Sequence, residues 1–217
     1  MIKAAIFDMD GLLVDSDPLW QQTVREVYAK LGIKLNEDDH SRMIGRPTAE
    51  NAEYLFSRYS WEGPSVQEVV DDIFDRMAVR INNESALMPG VHHVLQVCKK
   101  AGLPAAIASS SPQRLIDTVV DHLEIRDHFH HIYSAQFEPF GKPHPGVFIS
   151  VAKHFGVDVH DCLVFEDSPS GVLAAKAARM KCAAVPAEKF KNDKFIQTAD
   201  VILESLEDFD APLLQTL

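Results

Sequence analysis

Six short apolar runs, each cut off by polar or turn residues, set the tightest limit on what this chain can fold into. They cover residues 3–7, 105–108, 131–134, 162–165, 182–185 and 201–203. Brief apolar runs without polar alternation are what strands buried on both faces require. Between them, apolar residues recur at helical spacing. Over 91–101 the side chains of Val91, Val94, Leu95, Val97 and Cys98 share one side, and 115–123, 147–155 and 172–180 repeat the pattern. Strands alternating with helices of this length predict βαβ units in an α/β fold with a doubly wound, mainly parallel, Rossmann-like sheet.

One stretch breaks the alternation. Residues 17–87 contain no strand pattern but three helical ones, at 19–31, 50–59 and 66–81, separated by turn signals at Gly32, Gly45-Arg46-Pro47 and Gly63-Pro64. The expected organisation is an α/β core of residues 1–16 and 88–217 with an all-helical domain of residues 17–87 inserted after the first strand. A chain of 217 residues suits one domain carrying an insertion.

Composition narrows the function. No apolar run approaches the roughly 20 residues of a membrane span, and the N-terminal apolar stretch is broken by Asp8 and Asp10. A cytoplasmic location is therefore expected. Cys98, Cys162 and Cys182 are widely spaced without a CxxC, which fits reduced, buried thiols. The formal net charge of −11 with no basic stripe argues against nucleic acid and anionic membrane as partners. The same charge repels a phosphate, so a phosphate substrate needs local cations to recruit it.

In open α/β sheets, ligands bind outside the carboxyl ends of the strands. The polar residues at those positions are Asp8 and Asp10, Ser109 with Ser110, and Glu166 with Asp167, while Lys142 follows the third run. Two acidic pairs, hydroxyls and a lysine suit a phosphate beside Mg²⁺, which takes hard oxygen ligands. Asp8 and Asp167 supply carboxylates, Asp10 a backbone carbonyl, and Glu166 sits at the edge of the metal shell. Ser109 and Ser110 donate to phosphoryl oxygens, and Lys142 is a compact cation for them. Asp10, two residues beyond Asp8, is placed to protonate a leaving oxygen and later to deprotonate water. Gly11 permits the sharp bend that follows. Singly, each of these has a plainer reading: a turn, a helix cap, a solvated lysine. Their common placement after successive strands favours the chemical one. His92, His93, His128, His130 and His131 lack the spacing of a zinc site.

These residues resemble the four motifs of the haloacid dehalogenase-like hydrolase superfamily. Asp8-Met9-Asp10-Gly11 is similar to the first motif, Ser109 to the second, Lys142 to the third and Glu166-Asp167 to the fourth, in the same order. The resemblance implies a Mg²⁺-dependent phosphatase acting through a phospho-aspartate on Asp8. It also implies that the insertion is a C1 cap swinging on linkers near 15–17 and 87–90. Asp15-Ser16-Asp17-Pro18-Leu19-Trp20, Trp61-Glu62-Gly63-Pro64-Ser65, Ala108 to Pro112 and Ala177-Ala178-Arg179-Met180 resemble bacterial hexitol and 2-deoxyglucose-6-phosphate phosphatases. Small sugar phosphates are then the expected partners, a monomer the expected state, and Trp20 and Arg46 the candidates for specificity. The related β-phosphoglucomutases carry a histidine where this chain has Trp20 and an arginine where it has Thr48, which disfavours a mutase. Receiver-type signalling domains place their phosphoacceptor after the third strand rather than the first, and a catalytically silent member would not need the full residue set.

Overall fold

The computed structural model describes residues 1–43 and 47–217, with the side chains of residues 40 and 41 excepted. The chain divides into two compact units, Met1–Asp15 with Ala86–Leu217, and Ser16–Ser85.

The first unit is built on six parallel strands: β1 (Ala4–Phe7), β2 (Ala105–Ser109), β3 (His131–Ser134), β4 (Cys162–Glu166), β5 (Lys181–Ala184) and β6 (Val201–Ile202). Their order across the sheet is β3-β2-β1-β4-β5-β6, so the chain reverses its direction of growth at β1. The carboxyl end of β1 is thus the topological switch point, where open sheets of this kind form a crevice. Pairing runs Phe7 to Ile107 on one side and Phe7 to Phe165 on the other, which brings the residues just after β1, β2 and β4 to one edge.

The central strands β1, β2 and β4 are buried throughout, and their side chains divide between the two faces with the strand period of two. Ala4 and Ile6 of β1 join Ala106, Ala108, Cys162 and Val164 in one core cluster with Val147, Phe148 and Val151 of a helix at Gly146–Phe155, and with Val172 and Ala175 of a helix at Pro169–Ala177. The opposite parity carries aromatics: Phe7 stacks on Phe165 at 4.6 Å, and Phe165 meets Phe209 edge-on at 4.8 Å. All three cysteines are buried and free.

Where the chain leaves and re-enters this unit, its two segments pair. Val14 and Leu87 form an antiparallel bridge, with Asp15 N–H donating to Ala86 O and Met88 N–H to Leu13 O, both at 3.0 Å. Gly90 then turns with φ 83°, and a Cβ there would come 2.3 Å from the Glu207 nitrogen. Residues 87–90 belong to the α/β unit.

The second unit contains α1 (Asp17–Lys30), α2 (Glu37–Met43), α3 (Thr48–Tyr59) and α4 (Val66–Glu84). Helix α4 packs on both α1 and α3. It opens with a reciprocal cap between Ser65 and Glu68 and buries Val69, Val70, Ile73, Met77 and Ile81 along one stripe. Trp61 meets Tyr28 and Phe56 edge-on and donates its indole N–H to Pro64 O. Helix α2 escaped the sequence reading because it carries no apolar period. Its start is fixed by polar groups, with Asn36 and Asp39 exchanging backbone-to-side-chain hydrogen bonds. No helix of the described residues is long and apolar enough to cross a membrane.

Candidate active site

The site begins with a turn. After β1, the amides of Leu12, Leu13 and Val14 all point back at the Met9 carbonyl, and Gly11 N–H reaches Val14 O. Gly11 has φ 78°, and a Cβ at this position would lie 2.4 Å from Asp167 Oδ2. Both the backbone angle and the approach of a carboxylate therefore require glycine.

Asp8 sits at the mouth of β1, its amide donating to Phe165 O at 3.0 Å. Asp167 holds the equivalent place after β4, buried like Asp8. Lys142, 6% exposed, reaches between them from the segment after β3. Its ammonium donates to Asp8 Oδ1 (2.7 Å), Glu166 Oε1 (2.6 Å) and Ala108 O (3.0 Å), and lies 4.8 Å from the centroid of the Phe148 ring. An ammonium has three protons, and each has an acceptor.

Glu166 is fully buried. While Oε1 faces Lys142, Oε2 accepts from the amides of Asp167 and Ser168 and from Ser168 Oγ. Gly171, in the first turn of the helix Pro169–Ala177, makes room for it, since a Cβ there would fall 1.8 Å from Oε1 and 2.1 Å from Oε2. Both oxygens of Glu166 are thus occupied by the protein, and its evident work is to hold Lys142.

Burial, the largest influence, drives the Asp8 carboxyl up; Lys142 opposes this, Glu166 adds to it, and the net result is a pKa of about 7. Burial works against the Lys142 ammonium, but the two carboxylates outweigh it and raise its pKa further. The local field therefore still lacks positive charge. Asp8, Asp10, Glu166 and Asp167 outnumber the one ammonium, and a divalent cation offsets the excess negative charge. Asp8, Glu166 and Asp167 each offer an oxygen within 4.8 Å of one another, the one such acidic group among the described residues. The donors are all hard oxygens with no nitrogen or sulfur, a set that fits Mg²⁺.

The hydroxyl residues lie at the end of β2 and just beyond it. Ser109 is buried and its Oγ accepts from the Ser111 amide at 3.0 Å, while Ser110 is exposed. Ser111 Oγ donates to Asp10 Oδ2 at 2.7 Å. Trp20 is half-buried on α1 of the helical unit, edge-on to Phe74. Arg46 lies outside the described residues. Sequence reasoning missed three contributors: Ser111, Gly171, and Ser134, whose hydroxyl donates to the Ser111 carbonyl at 2.6 Å. A glycine directly before the helical pattern of 172–180 was a usable signal at position 171. Ser111 was one of three adjacent serines that sequence alone does not rank.

A family model described as haloacid dehalogenase-like hydrolase matches residues 5–185. Among curated proteins, hexitol phosphatase B of Escherichia coli strain K12 is 39% identical over 97% of this chain and 95% of its own. The phosphorylated carbohydrates phosphatase of Thermotoga maritima is 31% identical over 82% of each. Among solved structures, β-phosphoglucomutase from Clostridium difficile superposes with a TM-score of 0.84 at 24% identity, over all of this chain and 96% of that one, a likeness of fold.

Proposed function

From the premise that this chain belongs to the haloacid dehalogenase-like hydrolase family and is a phosphoric monoester hydrolase of the sugar-phosphatase kind, we propose that it hydrolyses hexose and hexitol 6-phosphates through a phospho-aspartate on Asp8. The observation that carries this reading is Lys142, buried between Asp8 and Glu166 beside Asp167 at the switch point of an acidic protein. A cation buried there supplies part of the local positive charge that the net charge of −11 calls for.

The chemistry follows in two displacements. An Asp8 carboxylate oxygen attacks phosphorus as the bond to the sugar oxygen breaks, and Asp10 gives that oxygen its proton. Water then attacks phosphorus on the other side, Asp10 takes the water's proton, and the bond to Asp8 breaks to release phosphate. Ser109 donates to the phosphoryl oxygens in both steps, and Lys142 reaches them with the proton it now gives Asp8 Oδ1, released as that carboxylate attacks. Asp8, Asp167 and the Asp10 carbonyl would hold Mg²⁺ with Glu166 beside them, and the ion would offset the repulsion between carboxylate and phosphate. The helical unit acts as a cap that selects the sugar, with Trp20 and Arg46 as the residues that read it.

Hydrolysis of a panel of phosphate monoesters with Mg²⁺, ranked by kcat/KM, tests the assignment. Hexose and hexitol 6-phosphates are expected to lead by several-fold to about a hundredfold, the range that a few apolar contacts give. β-Glucose 1-phosphate should yield inorganic phosphate. Its efficient conversion to glucose 6-phosphate would establish a mutase instead. Trp20→Ala should reorder the ranking, and a uniform drop across all substrates would refute the cap's selective role.

A further inference from the structure

We infer that Ser111 is a positioning residue for Asp10: its hydroxyl holds the carboxyl group that delivers the proton to the leaving group. The inference rests on the reading of Asp10 as the acid and base of the reaction.

Three hydrogen bonds hold Ser111, one at each of its polar groups. Its N–H donates to Ser109 Oγ (3.0 Å), its O–H to Asp10 Oδ2 (2.7 Å), and its carbonyl accepts from Ser134 Oγ (2.6 Å). Ser134 is fully buried and Ser111 nearly so. The chain of contacts crosses the ends of three adjacent strands, from Ser134 at the end of β3, through Ser111 after β2, to Asp10 after β1. Pro112 follows and narrows the backbone of residue 111 to extended conformations. Asp10 lies on a turn, and this bond ties its side chain to the sheet.

The donor count decides the role. A serine has one O–H and one N–H to give, and Ser111 gives both within the site. It has no donor left for a phosphoryl oxygen unless it releases Asp10. Ser109 is the reverse case. Its Oγ accepts from Ser111, so its own O–H remains available to point at phosphate. The hydroxyls of one Ser-Ser-Ser run therefore divide: Ser109 serves the phosphoryl group, and Ser111 serves the acid.

A leaving-group comparison separates this role from a structural one. An alkyl leaving oxygen needs its proton in the transition state, whereas 4-nitrophenolate leaves without one. In Ser111→Ala, kcat for 2-deoxyglucose 6-phosphate should fall about 10- to 100-fold with KM within about twofold, part of what general acid catalysis supplies. The first-turnover burst of 4-nitrophenolate from 4-nitrophenyl phosphate should stay within about threefold of the parent, since acid help is not used there. Ser111→Thr, which keeps the hydroxyl, should recover most of kcat. Asp10→Asn serves as the reference and should show the same selective loss on the alkyl ester, only deeper. Equal losses on both esters in Ser111→Ala, or none, with Asp10→Asn still selective, would overturn the role of Ser111 alone. If Asp10→Asn itself does not discriminate between the esters, Asp10 is not the acid, and this inference falls with that reading.

Discussion

Replacing Gly171 with alanine sets a local preference against a tertiary one, and the two have opposite signs. Gly171 lies in the first turn of the helix Pro169–Ala177 without a positive φ, so by helix propensity alone alanine gains up to about 1 kcal/mol. The new Cβ, however, would fall 1.8 Å from Glu166 Oε1 and 1.9 Å from its carboxyl carbon. Reaching an ordinary contact of about 3.5 Å requires the carboxylate to withdraw by roughly 1.5 Å. A retreat of that size breaks the 2.6 Å bond to Lys142 and the bonds that Oε2 accepts from Asp167 and Ser168. Breaking a buried ion pair costs about 3–5 kcal/mol, so the net loss is about 2–4 kcal/mol. For a chain of this size, that lowers the melting temperature by about 5–15 °C. Turnover of every phosphate ester should fall with it, because Lys142 loses one of its two carboxylate anchors. Thermal unfolding and steady-state kinetics of Gly171→Ala measure both effects. In a Glu166→Ala background the same substitution should cost almost nothing further, which isolates the clash as its cause. A Gly171→Ala protein that melts at or above the parent temperature with full activity would refute the reasoning.

Asp8→Asn should eliminate turnover, since an amide is a poor nucleophile, while Asp10→Asn should still bind substrate but hydrolyse it at least about 100-fold more slowly. A single turnover in ¹⁸O-water checks the covalent step: phosphate free of solvent label supports attack by Asp8, and immediate full labelling excludes it. Chelation should abolish activity and Mg²⁺ restore it, with Asp167→Ala requiring more Mg²⁺ than Glu166→Ala, as titration of activity against the ion would reveal. Tyr28 is buried on α1, and its hydroxyl has no hydrogen-bond partner among the described residues. Tyr28→Phe should therefore stabilise the protein by about 1 kcal/mol, read from denaturant unfolding; a loss of stability would point to a partner for that hydroxyl.

Sequence by itself determined the alternation of strands and helices, three of the four helices described in Ser16–Ser85, and which polar side chains stand at strand ends. Each of these is a local property. A run such as residues 162–165 is apolar throughout because both faces of its strand are covered, and the residue that ends it must then lie at the edge of the sheet. That is why Asp8, Ser109 and Asp167 could be named from strand ends alone. Strand limits moved by a residue or so, as with β4 running on to Glu166, because a ladder closes on its partner's hydrogen bonds rather than on its own composition. Helix α2 stayed hidden because polar capping, not an apolar stripe, defines it.

Only the tertiary structure decided what each charge faces. Lys142 meets Asp8 across 134 residues and Glu166 across 24, and Ser111 meets Asp10 across 101. From the sequence, Glu166 and Asp167 form one acidic pair. In the fold they divide, with Glu166 turned back to brace the lysine and Asp167 turned toward Gly11 and the site. That division depends on the space left by one missing Cβ at Gly171 and by another at Gly11. The pattern of a chain encodes which faces are buried, but the direction of a buried carboxylate is set by the few ångströms its neighbours leave open.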